Sequence, residues 1–336
     1  MFSGITPGIL HHRHQYGRGW WSHRKPVMPM LKAWIKAARL RTLPLAASVI
    51  IMAGALSYLH LHFYPGTWLL ALSTALLLQI LSNFANDYGD FVKGTDQAAG
   101  RTDRALSSGA ISPSAMRTGI YITVIACLLS GISLLYLSGQ WSGSSWLLLL
   151  LGLAAIAAAI AYTVGRKAYA YLGLGDVFVF LFFGPVAICG TVFLLGNALT
   201  TPVWMASVGM GMLCTAVLNV NNMRDRDSDS ASGKITLAIR MGKAGSYVYH
   251  KFLLSVGSLL VTGCFLYHIF NTNGLHPLEF AMVLIVFSPV YLLFAAHTSK
   301  IPMLETREDW NKELKRLSLS ILILAVVFFI IVWFFV

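Results

Sequence analysis

Apolar residues in this chain come in long runs separated by short polar gaps, and the period of two that marks half-buried strands does not set the pattern. A transmembrane helix needs about 20 mostly apolar residues. Nine runs meet that length: Leu43–Phe63, Trp68–Asn86, Ile120–Leu137, Trp146–Tyr162, Val177–Leu195, Val203–Val220, Val248–Phe270, Phe280–His297 and Leu319–Phe335. The pattern therefore predicts an all-α polytopic membrane protein. The gaps alternate in character. Tyr64–Gly66, Ser138–Ser145, Gly196–Pro202 and Asn271–Pro277 hold turn-forming residues and no Lys or Arg. The other gaps and the N-terminal segment hold all 25 Lys and Arg of the chain. With nine spans every basic segment lies on one side. The positive-inside rule makes that side cytoplasmic, with the N-terminus in and the C-terminus out. A wrong span count would scramble this segregation, so the charges check the spans.

Composition agrees. Of 336 residues, 57% are hydrophobic and 11% charged, and mean hydropathy is +0.68; soluble domains carry about a quarter charged residues. The formal charge of +12 would suggest nucleic acid in a soluble protein; here it belongs to membrane topology, and nucleic acid is not expected as a partner. Cys127, Cys189, Cys214 and Cys264 all fall in apolar runs, where thiols pack rather than pair or bind metal. Residues 1–30 have no apolar signal-peptide core and read as a basic, disordered tail. Residues 31–336 then form a single membrane domain.

Acids are costly near a bilayer, so their placement is informative. Twelve of thirteen lie on the basic side, Glu279 being the exception. Two clusters stand where the second and sixth runs end, within residues 83–96 and 221–229. Asn86 and Asp90 are four apart, as are Asp225 and Asp229, and Asn222 is three before Asp225; each set shares a helix face. Asp227 points elsewhere. Convergent carboxylates repel unless a cation sits between them. Oxygen donors without His or Cys suit Mg²⁺, which is usually completed by substrate phosphates. The acids are interleaved with Lys93, Arg101, Arg104, Arg224, Lys234 and Arg240, which suggests a metal-bridged polyphosphate and not a bare cation path. The recurrence of the motif four spans on implies an internal pseudo-repeat.

At these residues the chain resembles the UbiA superfamily of intramembrane aromatic prenyltransferases, from about Trp34 onward. The resemblance is carried by Arg39-Leu-Arg41-Thr42-Leu-Pro44, Asn86-Asp87-Tyr-Gly-Asp90-Phe-Val-Lys93-Gly-Thr-Asp96, Asp103-Arg104-Ala-Leu-Ser107-Ser-Gly109 and Ala161-Tyr162-Thr163. It continues in Gly173-Leu-Gly175-Asp176, Phe182-Phe183-Gly184-Pro185, Asn221-Asn222-Met-Arg224-Asp225 with Asp229, and Gly233-Lys234-Ile-Thr236-Leu-Ala238. These strings look most like the branch that prenylates 1,4-dihydroxy-2-naphthoate in menaquinone biosynthesis. The general family pattern has a third acid where this chain has Gly94, with Asp96 two residues on.

The resemblance implies nine helices around a central cavity, with a diphosphate held at its cytoplasmic end by Mg²⁺, two ions in all. Asn86 and Asp90 would serve one ion, and Asp225 and Asp229, with Asn222, the other. Lys93 and Arg104 would contact the diphosphate, with Arg41 and Lys234 as further candidates. Asp176 with Tyr162 would orient or deprotonate the aromatic acceptor, although Asp176 reads equally well as a helix N-cap after Gly175. The expected substrates are a polyprenyl diphosphate and an aromatic acid, with CO₂ released when a carboxylate is replaced. Rival acceptors are 4-hydroxybenzoate, homogentisate and haem. A cation-coupled transporter is a different class, but no acid lies near the middle of a span. No DGxxAR-type string of a CDP-alcohol phosphotransferase is present, and a soluble polyprenyl synthase would lack the spans.

Overall fold

The computed structural model describes residues 30–60, 62–98, 104–139, 145–165, 168–274 and 276–335. The expected tail lies outside them except for Met30, as do Arg101, Asp103, Arg166, Lys167 and most of the Ser138–Ser145 loop. The described residues form helices joined by short turns. Among the described residues, eight helices are long and apolar enough to cross a membrane. The ninth, over the fourth expected span, is Ser145–Ala161 with 17 residues, about 25 Å at 1.5 Å per residue. The first span is Leu43–Leu59, the second Pro65–Val92, the third Pro113–Leu137 and the fourth Ser145–Ala161. The fifth is Gly175–Leu194. The sixth to ninth are Thr201–Ala231, Leu237–Asn273, Pro277–Lys300 and Arg307–Phe335.

Local chemistry fixes several of the ends. Pro65, Pro113, Pro202 and Pro277 occupy first turns, where the missing N–H costs nothing. The Ser112 and Thr236 hydroxyls accept from the backbone N–H groups of Ala115 and Ile239. The seventh helix breaks at Gly242, whose φ of 68° an L side chain rarely adopts. The second and sixth helices overrun the apolar stretches that predicted them, by six residues past Asn86 and eleven past Val220. Their backbones stay helical after the sequence turns polar, and those overhangs carry the two acidic clusters.

The core is divided. One apolar cluster joins the first span to the fifth through ninth, with Met52, Leu56, Met210, Phe265, Phe287 and Phe328 fully buried. The other packs Trp34 of a short helix, Met30–Ala37, with Phe84, Leu106 and Met116 of the second and third spans and the loop between them. A cavity of about 390 Å³ lies between them, with walls from the first six spans and Leu314 of the ninth. The fifth span carries a π-helical stretch at Phe182–Cys189 around Pro185. Such widened turns gather at functional sites, and here Phe182, Phe183 and Val186 face the cavity. All four cysteines are buried and unbonded to one another, as expected.

Candidate active site

One end of the cavity is polar. Asn86 and Asp90 reach it from the second helix, Asn221 and Asp225 from the sixth, and Arg39, Arg104 and Lys234 from the connecting segments. The remaining wall is largely apolar, running along the spans past Leu78, Leu128, Gly152, Phe182 and Ala187. From Leu148 to Tyr162, just past its end, the fourth helix follows this wall over 14 residue steps, about 20 Å of helix. The site thus joins a charged head to a long greasy channel.

The second helix is drawn tightly against the turn after the fourth. A Cβ on Gly89 would lie 2.7 Å from both the carbonyl oxygen and Oγ1 of Thr163, closer than real side chains tolerate. Thr163 Oγ1 donates to the Ala85 carbonyl at 3.0 Å and to Asn86 Oδ1 at 3.1 Å. This close approach sets Tyr162 beside the first acidic cluster.

In that cluster one arginine serves three acids. Arg104 lies 3.4 Å from Asp90, 3.7 Å from Asp96 and 3.9 Å from Asp87. Burial opposes its charge, but Asp90, Asp96, Asp87 and Asp225 outweigh it and hold the guanidinium above its ordinary pKa. Asp87 is buried with neither carboxylate oxygen hydrogen-bonded, and Ser107 donates to Asp96 at 3.3 Å. Tyr171 donates to Asp90 at 3.1 Å and shares a 2.7 Å hydrogen bond with Thr95. Its ring lies beneath Lys93, 3.7 Å from the ammonium, with the Lys234 ammonium 5.8 Å away. Burial, and behind it the Asp90 charge, push the Tyr171 phenol up, so it stays a hydrogen-bond donor at neutral pH. Partial burial, and then the Lys234 charge, pull the Lys93 ammonium down against the attraction of Asp90.

The second cluster has more local counter-charge. Asp225 takes Arg224 Nε at 3.0 Å and Nη2 at 2.6 Å, and Arg307 Nη2 at 3.1 Å. Asp229 pairs with Lys234 at 2.9 Å. Helix persists through Ala231, so Asp225 and Asp229 are 2% and 0% exposed. The Asp227 side chain is 91% exposed and lies against Arg226.

The expected residues therefore divide. Asn86, Asp90, Asp225, Arg104, Lys234 and Tyr162 all line the cavity. Asn222 is buried on the same helix, while Asn221 takes the cavity position beside Asp225. Arg41 donates to Asn311 of the ninth helix at 3.3 Å, and Arg39 lines the cavity in its place. Arg39 adopts a left-handed backbone, φ 50° and ψ 63°, and such strain in a non-glycine residue gathers at functional sites. Asp176 is buried in the first turn of the fifth helix and hydrogen-bonds Tyr249. It stands behind Gly175, whose Cβ position is 3.5 Å from the Tyr162 hydroxyl. Sequence reasoning missed Tyr171, Asn221, Arg307 and Asn311. Asn221 had a signal, since it is four residues before Asp225 as Asn86 is before Asp90. Tyr171 and Asn311 had none, because their partners lie 81 and 87 residues away.

A metal suits these donors. They are carboxylate and amide oxygens, the ligand class Mg²⁺ takes, and Asp87 adds a buried carboxylate without hydrogen bonds. A buried acceptor left in that state calls for a partner.

Comparison with known proteins follows the same lines. The model of the UbiA prenyltransferase family matches residues 47–307. The 1,4-dihydroxy-2-naphthoate octaprenyltransferase of Escherichia coli (strain K12) is 42% identical over 248 residues, 74% of this chain and 79% of that protein. The protein of that name from Haemophilus influenzae is 42% identical over 240 residues, 70% of this chain and 78% of its own. The one from Mycobacterium tuberculosis is 37% identical over 236 residues, 69% and 78% of the two chains. Among solved structures, one described as digeranylgeranylglyceryl phosphate synthase in membranes aligns with a TM-score of 0.50 at 19% identity. It covers 90% of this chain and 98% of its own, a likeness of fold.

Proposed function

Since the chain belongs to the UbiA prenyltransferase family and is an integral membrane prenyltransferase, we propose that it transfers a polyprenyl group from polyprenyl diphosphate to 1,4-dihydroxy-2-naphthoate, giving demethylmenaquinol, CO₂ and pyrophosphate. The observation that carries this is the junction of a cavity end rich in acids and cations with a long apolar channel. A polyprenyl diphosphate has that shape and polarity. The choice of acceptor is supported by the names of relatives about 40% identical to this chain.

Asn86, Asp90, Asn221 and Asp225, with Asp229 behind them, would hold two Mg²⁺. When bound, these ions neutralise the diphosphate and stabilise it as a leaving group. Arg104, Lys93 and Lys234 share that charge, and Tyr171 keeps the two lysines and Asp90 in place. The allylic C–O bond breaks as pyrophosphate leaves. A C–C bond forms at the ring carbon bearing the carboxylate, and that carboxylate departs as CO₂ with no net gain or loss of electrons. The apolar walls keep water from the allylic cation, which would otherwise end as an alcohol. Tyr162 contacts the acceptor ring from the cavity wall, and Asp176 stands one layer behind it. The charge of the connecting segments supports a polar end that faces the cytoplasm.

The test uses membranes containing the full chain, a polyprenyl diphosphate, and either carboxyl-labelled naphthoate or 4-hydroxybenzoate. We expect prenylated naphthoate, an equal amount of labelled CO₂, and loss of both in excess EDTA. Prenylation of 4-hydroxybenzoate with its carboxylate retained, and none of the naphthoate, overturns the acceptor. Full turnover in EDTA overturns the metal.

A further inference from the structure

The second acidic cluster is held in place from the far end of the chain. In the first two turns of the ninth helix, Asn311 Oδ1 accepts from Arg224 Nη1 at 2.7 Å and from Arg41 Nη1 at 3.3 Å. Arg224 also donates to Asn221 Oδ1 at 2.6 Å and grips Asp225 through Nε and Nη2. Arg224 and Asp225 are adjacent, so their side chains leave the helix about 100° apart. The guanidinium reaches its neighbour's carboxylate only by folding back across the helix surface. Asn221 on one side and Asn311 on the other are the acceptors that hold it folded. An amide oxygen has two lone pairs, which matches the two arginines that meet at Asn311. The Arg224 side chain is 4% exposed, so water is a poor substitute for a lost acceptor.

We propose that Asn311 is a positioning residue for the diphosphate site, acting through Arg224 on the orientation of Asp225. By anchoring Arg224, it fixes the edge of the Asp225 carboxylate presented to a cation. It also keeps the guanidinium from swinging into the cavity to pair with the diphosphate itself. The ninth span, which carries no part of either acidic motif, thereby becomes part of the catalytic centre. The proposal rests on the reading of this site as a Mg²⁺–diphosphate site.

The experiment compares the full-length protein with Asn311→Leu and Asn311→Asp in lipid nanodiscs. Two quantities are read: the Mg²⁺ concentration for half-maximal prenyl transfer, and the rise in melting temperature given by Mg²⁺ with inorganic pyrophosphate, which involves no turnover. Asn311→Leu should raise the half-maximal Mg²⁺ about tenfold or more, the usual effect of losing a residue that orients a metal ligand. It should also abolish the thermal protection at concentrations that protect the wild type, while KM for the acceptor is unchanged. Asn311→Asp keeps an acceptor for both arginines and should recover most of both properties. A leucine variant with wild-type Mg²⁺ dependence and protection overturns the proposal, as does equal impairment of the leucine and aspartate variants. If the leucine variant does not accumulate, Asn311→Ser, whose hydroxyl is too short for both arginines, takes its place under the same criteria. A wild type that needs no Mg²⁺ and gains no protection overturns the reading of the site itself.

Discussion

Three aspartates within five residues offer the most direct trial of the site. On a helix with 3.6 residues per turn, Asp225 and Asp229 lie about 40° apart, and Asp227 lies roughly 160–200° from both. The sixth helix runs unbroken to Ala231, so this geometry holds. Asp225 sits between Arg224 and Arg307, and Asp229 against Lys234, whereas the Asp227 side chain is 91% exposed beside Arg226. Substitution to asparagine keeps volume and removes charge, which limits the folding cost that truncating one partner of a buried pair would bring. Asp225→Asn and Asp229→Asn each remove one charged contact to the metal–diphosphate assembly. Losing one such contact to a transition state lowers turnover by about 100- to 1,000-fold, or about 2.7–4 kcal/mol. Asp227→Asn should leave turnover within about tenfold of wild type, because an exposed pair in water contributes little. The assay is the initial rate of prenyl transfer in membranes at saturating Mg²⁺, normalised to folded protein. Comparable losses at all three positions would refute the reasoning, as would Asp225→Asn keeping a tenth of wild-type activity.

Two further outcomes follow from the same geometry. Tyr171→Phe removes one hydrogen bond to the charged Asp90 and should lower kcat/KM for the prenyl diphosphate about tenfold; Tyr171→Leu also removes the ring beneath Lys93 and should cost about threefold more or greater. Equal losses in the two variants would leave the ring without a role. Single cysteines placed in the Ser138–Ser145 and Asn271–Pro277 segments, which lack Lys and Arg, should react with an impermeant reagent in intact cells. Reaction only after lysis would reverse the orientation derived from the charges.

The spans were legible because a bilayer demands a fixed length of apolar helix, and runs such as Val248–Phe270 announce it directly. Their ends were less so. Apolar content stops at Val220, but the sixth helix continues for three more turns, since its polar residues still form backbone hydrogen bonds and Asn222, Asp225 and Asp229 are buried. The pairs Asn86–Asp90 and Asp225–Asp229 could be read because helical spacing is a property of sequence alone. The choice of Asn222 over Asn221 turned on a difference of one position, about 100° of rotation. Residues that act through tertiary contact left no local trace. Tyr171 lies in a short turn held by its carbonyl, which accepts from the Ile235 N–H at 3.2 Å. Asn311 lies in the polar first turns of the ninth helix, before the apolar run Leu319–Phe335 that predicted it.

The two acidic clusters also differ in a way that spacing does not reveal. In the first, Asp87, Asp90 and Asp96 share one arginine, Arg104. In the second, Asp225 has two arginines of its own and Asp229 a lysine. At the first cluster Asp87 keeps two buried carboxylate oxygens without hydrogen bonds. At the second cluster a cation would have to share the Asp225 carboxylate with the two arginines that already hold it. The same helical motif thus supports unequal tasks. Under the proposed function, a metal at the second cluster would compete with arginines for Asp225, while the first cluster offers the Asp87 carboxylate beside Asn86 and Asp90.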